Sequence, residues 1–145
     1  LLCLAPTAPL PTRVVIFAPD ATARRATFAV AASLLRHLPA EATYLSISPA
    51  QVHEADRAAP MRQLLDARSG ALAEHGLDMR TELRPGVVAE ELQKELAAYE
   101  RSMLVLGTSN PDAIQWDWLK ALLEGTPARP VLIVNSARTE PAADA

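Results

Sequence analysis

Two short polar segments carry the side chains best suited to binding a ligand, and each adjoins an apolar run. Asp20 lies just after residues 13–18 (RVVIFA), and the second segment closes residues 102–107 (SMLVLG) and continues beyond them: Gly107, Thr108, Ser109 and Asn110. Hydroxyl and amide groups beside a helix start can hold an anion or a phosphate, and a carboxylate can bind a ribose hydroxyl or a metal ion. A helix cap and an Asx turn use the same residue types, so both interpretations stay open.

The other residues that could do chemistry form no recognisable catalytic or metal-binding pattern. The three histidines are far apart in the sequence, and two of them suit the last turns of helices: His37, His53 and His75. Ser46 and Ser48 end an apolar run, but the G-x-S-x-G pattern of a nucleophilic serine is absent around them. The sequence therefore predicts no catalytic residue, no metal site and no enzymatic activity.

Composition favours one folded domain and excludes several classes of protein. With 145 residues, 50% of them hydrophobic and 21% charged, the chain is long enough for a single core. A net charge of −3 provides no positive field for nucleic acid. Cys3 is the single cysteine, which favours a reducing compartment, and no apolar run reaches the roughly 20 residues of a membrane span. We therefore expect a cytoplasmic domain that neither inserts into a membrane nor binds nucleic acid.

Short apolar runs alternate with helical periodicity between residues 13 and 137, as in a parallel sheet with crossover helices. Five strands are predicted, at residues 13–18, 42–48, 77–83, 102–107 and 130–135, with four main helices between them. Right-handed crossovers then give an α/β, doubly wound sheet with strand order 3-2-1-4-5. The order reverses between the first and fourth strands, so loops 19–22 and 107–112 flank the crevice where such sheets bind ligands. The two polar segments lie in these loops.

Apolar spacing also assigns a face to each helix. The first helix runs to about Leu38, and the fourth begins near Asp112. The second helix is predicted to turn four residues toward the core: Met61, Leu64, Leu65 and Leu72. The third is predicted to expose its charge run to solvent: Glu90, Glu91, Lys94 and Glu95.

The two ends of the chain are expected to lie outside the domain. Residues 1–12 read as a flexible, proline-rich head or linker, and residues 138–145 as a flexible tail. The head is compatible with a trimmed or misjudged start, and also with a domain taken from a longer polypeptide.

Several stretches resemble the universal stress protein family. LVLGTSN at residues 104–110 is similar to the family's fourth strand and loop, and ARPVLIV at 128–134 to its closing strand. RVVIFAPDATARRATFAVAASLL, from residue 13, is similar to the opening strand, acidic turn and first helix. The resemblance covers about residues 13–137 and implies a Rossmann-like nucleotide-hydrolase type of fold with a stress-response or regulatory role.

The glycine motif of the family's ATP-binding members is only partly present. In those members a Gly is followed by two residues, a second Gly, nine residues, and then Gly with Ser or Thr. Gly107 matches the first position, but Asn110 and Lys120 stand at the second and third glycines. Pro19 replaces the acidic residue after the first strand, and Asp20 follows it. We therefore expect no cofactor bound in the family's usual way, with ATP or AMP on a modified loop as the alternative.

The resemblance implies a non-catalytic regulatory domain that self-associates. An adenine-nucleotide sensor with a modified loop is one alternative, and a cytosolic regulatory domain of a larger transporter or kinase is another. The apolar last strand would otherwise be an open sheet edge. A homodimer through Val131 to Val134 is therefore expected, and a different protein partner is also compatible with the sequence.

Overall fold

Strands and helices alternate along the chain, as the sequence predicts. The structure is a computed structural model that describes residues 2–3, 10–48, 58–99, 101–110, 112, 119–120 and 129–136. The strands are β1 (Leu2–Cys3), β2 (Arg13–Phe17), β3 (Glu41–Ser48), β4 (Met79–Pro85), β5 (Ser102–Thr108) and β6 (Val131–Asn135). The helices are α1 (Ala21–Leu35), α2 (Ala58–His75) and α3 (Val88–Ala97).

The strands form one sheet in the order β1-β6-β5-β2-β3-β4. From β2 onward all neighbours are parallel, and the arrangement β4-β3-β2-β5-β6 is the predicted 3-2-1-4-5 order. The sixth strand, β1, was not predicted. It runs antiparallel to β6, with Leu2 opposite Leu132 and Cys3 opposite Val131. A two-residue strand has no periodicity to detect, and it falls in the segment predicted to be a head.

The sheet is covered on both faces, which explains the unbroken apolar runs in its central strands. Helices α1 and α2 pack on one face, where the buried core includes Ile16 and Phe28. Helix α3 and the helical residue Leu119 pack on the other face, where the core includes Val15 and Leu104. Loops at the carboxyl ends of the strands are thereby held between two helical layers.

Helix α2 buries less apolar surface than its spacing predicts. Leu64 is buried as predicted, but the other three core-facing candidates are about half exposed: Met61 at 42%, Leu65 at 49% and Leu72 at 54%. That part of the prediction is wrong. Leu64, Ala67 and Ala71 form a neighbouring stripe at helical spacing, and this stripe packs on the core. Its smaller residues let α2 lie close to α1 and the sheet.

The boundaries of the helices agree with the sequence in outline. Helix α1 ends at Leu35, and Leu38 beyond it still packs against the core. Gly76, with a φ of 65°, follows α2 in the left-handed conformation that ends many helices. Among the helices described, none is both long and apolar enough to cross a membrane.

The predicted fourth helix lies mostly outside the described residues. Of its positions the structure describes Asp112, which is in a 3₁₀ turn, and Leu119 and Lys120, which are α-helical. The predicted tail, residues 138–145, also lies outside the described residues.

Candidate functional site

Asp20 and Ser109 meet at the carboxyl ends of the neighbouring strands β2 and β5. Asp20 is the N-cap of α1, where its Oδ1 accepts a hydrogen bond from the backbone N–H of Thr22 at 2.9 Å. Its Oδ2 accepts a hydrogen bond from the Ser109 hydroxyl. The two loops predicted to flank the crevice are thus joined to each other.

The rest of the second loop is held by one local hydrogen bond and one from the end of β6. The backbone N–H of Asn110 donates to Thr108 Oγ1 at 3.0 Å. This contact is the local turn that the sequence allowed as the alternative to an anion site. The Thr108 carbonyl accepts a hydrogen bond at 3.4 Å from the hydroxyl of Ser136, which follows β6.

Gly107 marks the place where α1 lies against β5. A Cβ at this position would lie 1.8 Å from Thr27 Oγ1 and 2.9 Å from Thr27 Cβ. Thr27 is fully buried, and its hydroxyl donates to the Ala23 carbonyl at 2.7 Å. The glycine at 107 therefore has a packing cause, the close approach of helix and strand.

Arg24 and Tyr44 donate hydrogen bonds to the backbone carbonyl that directly follows β2. The sequence predicted neither residue to lie near the site. Arg24 Nε and the Tyr44 hydroxyl both donate to the Ala18 carbonyl at 3.3 Å. Arg24 Nη2 also donates to the Pro19 carbonyl at 3.5 Å. Arg24 lies one helical turn after the cap residue Asp20, and this spacing is the signal that could have placed it here.

Tyr44 is a buried phenol on the core side of this turn. Its ring meets the Phe28 ring edge-to-face, with centroids 5.1 Å apart. Burial raises the pKa of Tyr44 above its ordinary value, although the nearby charge and hydrogen bond of Arg24 act in the opposite direction. The neutral phenol is therefore the form that the fold favours.

A cavity of about 380 Å³ lies between α1 and α2, beside the crevice. Its lining includes Phe28, Asp66 and Gly70, and an ion pair between Arg25 and Glu74 at 3.1 Å joins its two walls. A second cavity of about 30 Å³ is lined in part by Tyr44, Ser46 and Gln63. The five predicted site residues line neither cavity, so the predicted site and the described cavities do not coincide.

A cluster of charges between β4 and α3 corrects the prediction for the third helix. Glu90 and Lys94 are exposed as predicted. Glu91 and Glu95, which were also expected to face solvent, are only 7% and 5% exposed. Arg84 Nη2 lies 2.6 Å from Glu95 Oε1 and 2.7 Å from Glu82 Oε1. Lys94 Nζ lies 2.9 Å from Glu91 Oε2. Burial of these carboxylates is possible because cations pair with both of them.

Arg84 holds the centre of this cluster. Burial by itself would lower the pKa of Arg84, but its hydrogen bonds to Glu82 and Glu95 outweigh burial and raise it. Gly86 starts the turn into α3, and a Cβ there would lie 2.8 Å from Glu91 Cγ. The sequence of the helix alone does not show that its carboxylates pair with Arg84 on β4. The prediction therefore placed Glu91 and Glu95 on the solvent-facing side of α3.

The described residues form no metal site. Within them, no three His, Cys, Asp or Glu side chains are grouped so as to hold a metal ion. His37 is exposed just after α1, and His75 ends α2. His53 lies outside the described residues.

Solved structures share this architecture. The universal stress protein UspA from Lactobacillus plantarum has a TM-score of 0.63 at 11% sequence identity, with 88% of this chain and 100% of that chain covered. A universal stress protein from Archaeoglobus fulgidus, in complex with dAMP, has a TM-score of 0.63 at 13% identity, with 88% and 100% covered. This chain has the universal stress protein fold.

A further solved structure with the universal stress protein fold contains a ligand. A universal stress protein in complex with cAMP has a TM-score of 0.61 at 19% identity, and the match covers 88% of this chain and 99% of that one. No protein-family profile and no curated protein matches the sequence. The predicted resemblance is confirmed by structure, and the low identities fit a divergent sequence on this fold.

Proposed function

We propose that this chain is a stress-response regulatory domain that catalyses no reaction and does not bind ATP in the family's usual way. The observation that supports this is the bonding of Asp20, whose two carboxylate oxygens accept from Thr22 and Ser109. Pro19 has no backbone N–H to offer a ligand. A phosphate that needs the Ser109 hydroxyl as a donor would have to break the Asp20–Ser109 hydrogen bond, because the hydroxyl has a single proton.

Isothermal titration calorimetry with magnesium and ATP tests the proposal. We expect no heat beyond dilution, which corresponds to a dissociation constant weaker than about 1 mM. Asp20→Ala is the site variant, and Gln93→Ala is a control on the exposed side of α3, away from the loops and the cavities. Saturable ATP binding to the wild type and to Gln93→Ala that is lost in Asp20→Ala would overturn the proposal.

An adenine-nucleotide sensor with a modified loop is the second candidate. Two neighbours on this fold are complexes with dAMP and with cAMP. Monophosphates need fewer phosphate contacts than ATP, and the Thr108 and Ser109 hydroxyls lie at the crevice. Titration with AMP and cAMP tests this candidate: saturable binding that weakens in Asp20→Ala supports it, and heats equal to dilution contradict it.

The cytoplasm is the proposed location. A single cysteine suits a reducing compartment.

A regulatory domain of a larger transporter or kinase is the third candidate function. Reading the gene on both sides of this segment tests this candidate. Membrane spans or a kinase domain in the same reading frame would support it, and stop codons close to both ends would contradict it.

We also propose a homodimer through the edge of β6, centred on Val131 to Val134. The strand is apolar, and among the described residues the pairing on the outer side of β6 is limited to β1, opposite Val131 and Leu132. An apolar strand edge favours pairing with a further strand. Light scattering after size-exclusion chromatography is expected to show dimers that increase with protein concentration, and a strict monomer at every concentration would contradict this.

A further inference from the structure

β1 occupies part of the edge that the proposed homodimer would use. On its inner side β6 pairs with β5 along all five residues, from Val131 to Asn135. On its outer side, in the part of the chain that the structure describes, it pairs with β1 over two residues, Leu132 and Val131. One end of the outer edge is therefore covered by the chain itself.

The direction of the backbone groups in β6 follows from one hydrogen bond. The Leu104 N–H donates to the Pro130 carbonyl at 3.0 Å, and Leu104 stands opposite Val131 in the parallel pairing. The Pro130 carbonyl thus points to β5. The N–H and C=O groups of successive residues in a strand point to opposite sides, so those of Val131 and Ile133 point outward, away from β5. The hydrogen-bonded pair on the outer side is therefore Cys3 with Val131.

We propose that β1 is an intramolecular cap on the last strand, displaced when a second copy of this chain binds the same edge. This inference rests on the proposed homodimer. A second copy can use the outward backbone groups of both Val131 and Ile133, whereas the pairing with β1 ends at Leu132. β1 thereby sets the protein concentration at which the chain dimerises.

The competition depends on concentration because the cap is tethered and the second copy is not. A tethered strand has an effective concentration in the millimolar range for a short linker, so β1 prevails in dilute protein. A second copy offers a longer pairing and prevails in concentrated protein. Both copies must release β1, so the apparent dissociation constant of the dimer varies inversely with the square of the open fraction.

Two substitutions of one residue in the full chain isolate the cap. Cys3→Ala keeps the backbone N–H that pairs with Val131, and Cys3→Pro removes it. Both variants lack the thiol, so disulfide formation cannot distinguish them. Analytical ultracentrifugation gives the dimer dissociation constant of each, and circular dichroism checks that both stay folded. We expect the constant of Cys3→Pro to be at least about tenfold lower than that of Cys3→Ala, since the pairing is broken in both copies.

Two further variants test whether the edge of β6 is the surface involved. In a Cys3→Pro background, Ile133→Pro removes the outward N–H and leaves the pairing with β5 intact, whereas Ile133→Ala keeps that N–H. We expect dimers of Ile133→Ala and monomers of Ile133→Pro. Equal dimerisation of these two variants would overturn the proposal.

The remaining outcomes separate the cap from the homodimer. Equal dissociation constants for Cys3→Pro and Cys3→Ala would overturn the role of β1 and leave the homodimer intact. Monomers of every variant at all concentrations would overturn the homodimer, and the cap with it.

Discussion

Gly107 and Thr27 pack so closely that position 107 has no room for a side chain. We expect Gly107→Ala to lower the free energy of unfolding by roughly 3 kcal/mol, because its Cβ would overlap the Thr27 hydroxyl. Urea unfolding followed by circular dichroism measures the loss.

Gly70→Ala is the matched control for this substitution. Gly70 lies within α2, and a Cβ there would meet nothing within 4 Å. We expect this variant to gain roughly 0.5–1 kcal/mol, since alanine favours a helix over glycine. Equal stabilities of Gly107→Ala and the wild type would show that the helix and strand are farther apart than described.

Tyr44 should make the fold sensitive to alkaline pH. Burial raises the pKa of Tyr44 in the folded state, so the unfolded chain loses the phenol proton first. The contribution of Tyr44 is fully present below about pH 10 and is lost as the pH rises through the folded pKa.

Tyr44→Phe tests this dependence on pH. We expect a loss of about 1 kcal/mol at pH 7, because the hydrogen bond to Ala18 is removed, and a shallower decline than the wild type above about pH 10. Chemical unfolding at a series of pH values measures both effects. Parallel declines in the two proteins would contradict the assignment.

The sequence predicted where the residues of the candidate site lie, but not which contacts and hydrogen bonds they make. Topology alone placed Asp20 and Ser109 at the same edge of the sheet, and they do meet. The packing role of Gly107 depends on Thr27, a contact between segments 80 residues apart in sequence that spacing cannot show. Arg24 was missed because its partners are backbone carbonyls, which no side-chain pattern identifies, and its spacing of one helical turn from Asp20 was the one available signal.

At the scale of elements, Arg84 fastens α3 to the strand before it. We expect Arg84→Met to cost roughly 3–5 kcal/mol, because it leaves buried carboxylates without their partner. Adding Glu91→Gln and Glu95→Gln to Arg84→Met should recover part of that loss, since the amides carry no charge. Thermal and urea unfolding measure the series.

Arg25→Ala provides the comparison on an exposed ion pair. Arg25 pairs with Glu74 at 3.1 Å, but the two side chains are 82% and 49% exposed. We expect a loss below about 1 kcal/mol. A cost for Arg84→Met no larger than this would mean that the cluster adds little to stability.

The helices show where periodicity succeeds and where it fails. Phe28 and Ala31 of α1 and Leu92 and Leu96 of α3 stand at helical spacing and are buried, whereas Val88, on the same stripe of α3, is exposed. In α2 two adjacent apolar stripes competed, and the stripe of smaller residues faces the core. In α3 the carboxylates of Glu91 and Glu95 lie beside an apolar stripe, so helical spacing alone predicts that they face solvent. Their burial is explained by Arg84, which lies on another element.

At the scale of the whole molecule, the order of strands predicts a gradient of local stability. β2 and β5 have strands on both sides and helices on both faces, whereas β1 and β4 lie at the edges. We expect the slowest amide exchange in β2 and β5 and faster exchange in β4 and β1. Hydrogen exchange with mass spectrometry resolves these segments, and equal protection of β4 and β5 would contradict the expectation.

The sheet order was predictable because handedness and chain connectivity leave few alternatives for five parallel strands. The added strand β1 was not, since its pairing with Val131 and Leu132 is between backbones and needs no particular side chains. The fold likewise does not specify the ligand of the molecule, since one fold supports many functions.

The two edges of the sheet differ in chemistry, and this limits how the molecule can grow. β4 carries Arg80 and Glu82 along its length, charges that discourage a further strand. The outer side of β6, which β1 covers in part, is apolar. In the proposed homodimer, two copies joined there would turn their charged edges outward on both sides, so that association would be self-limiting and would not continue into a filament.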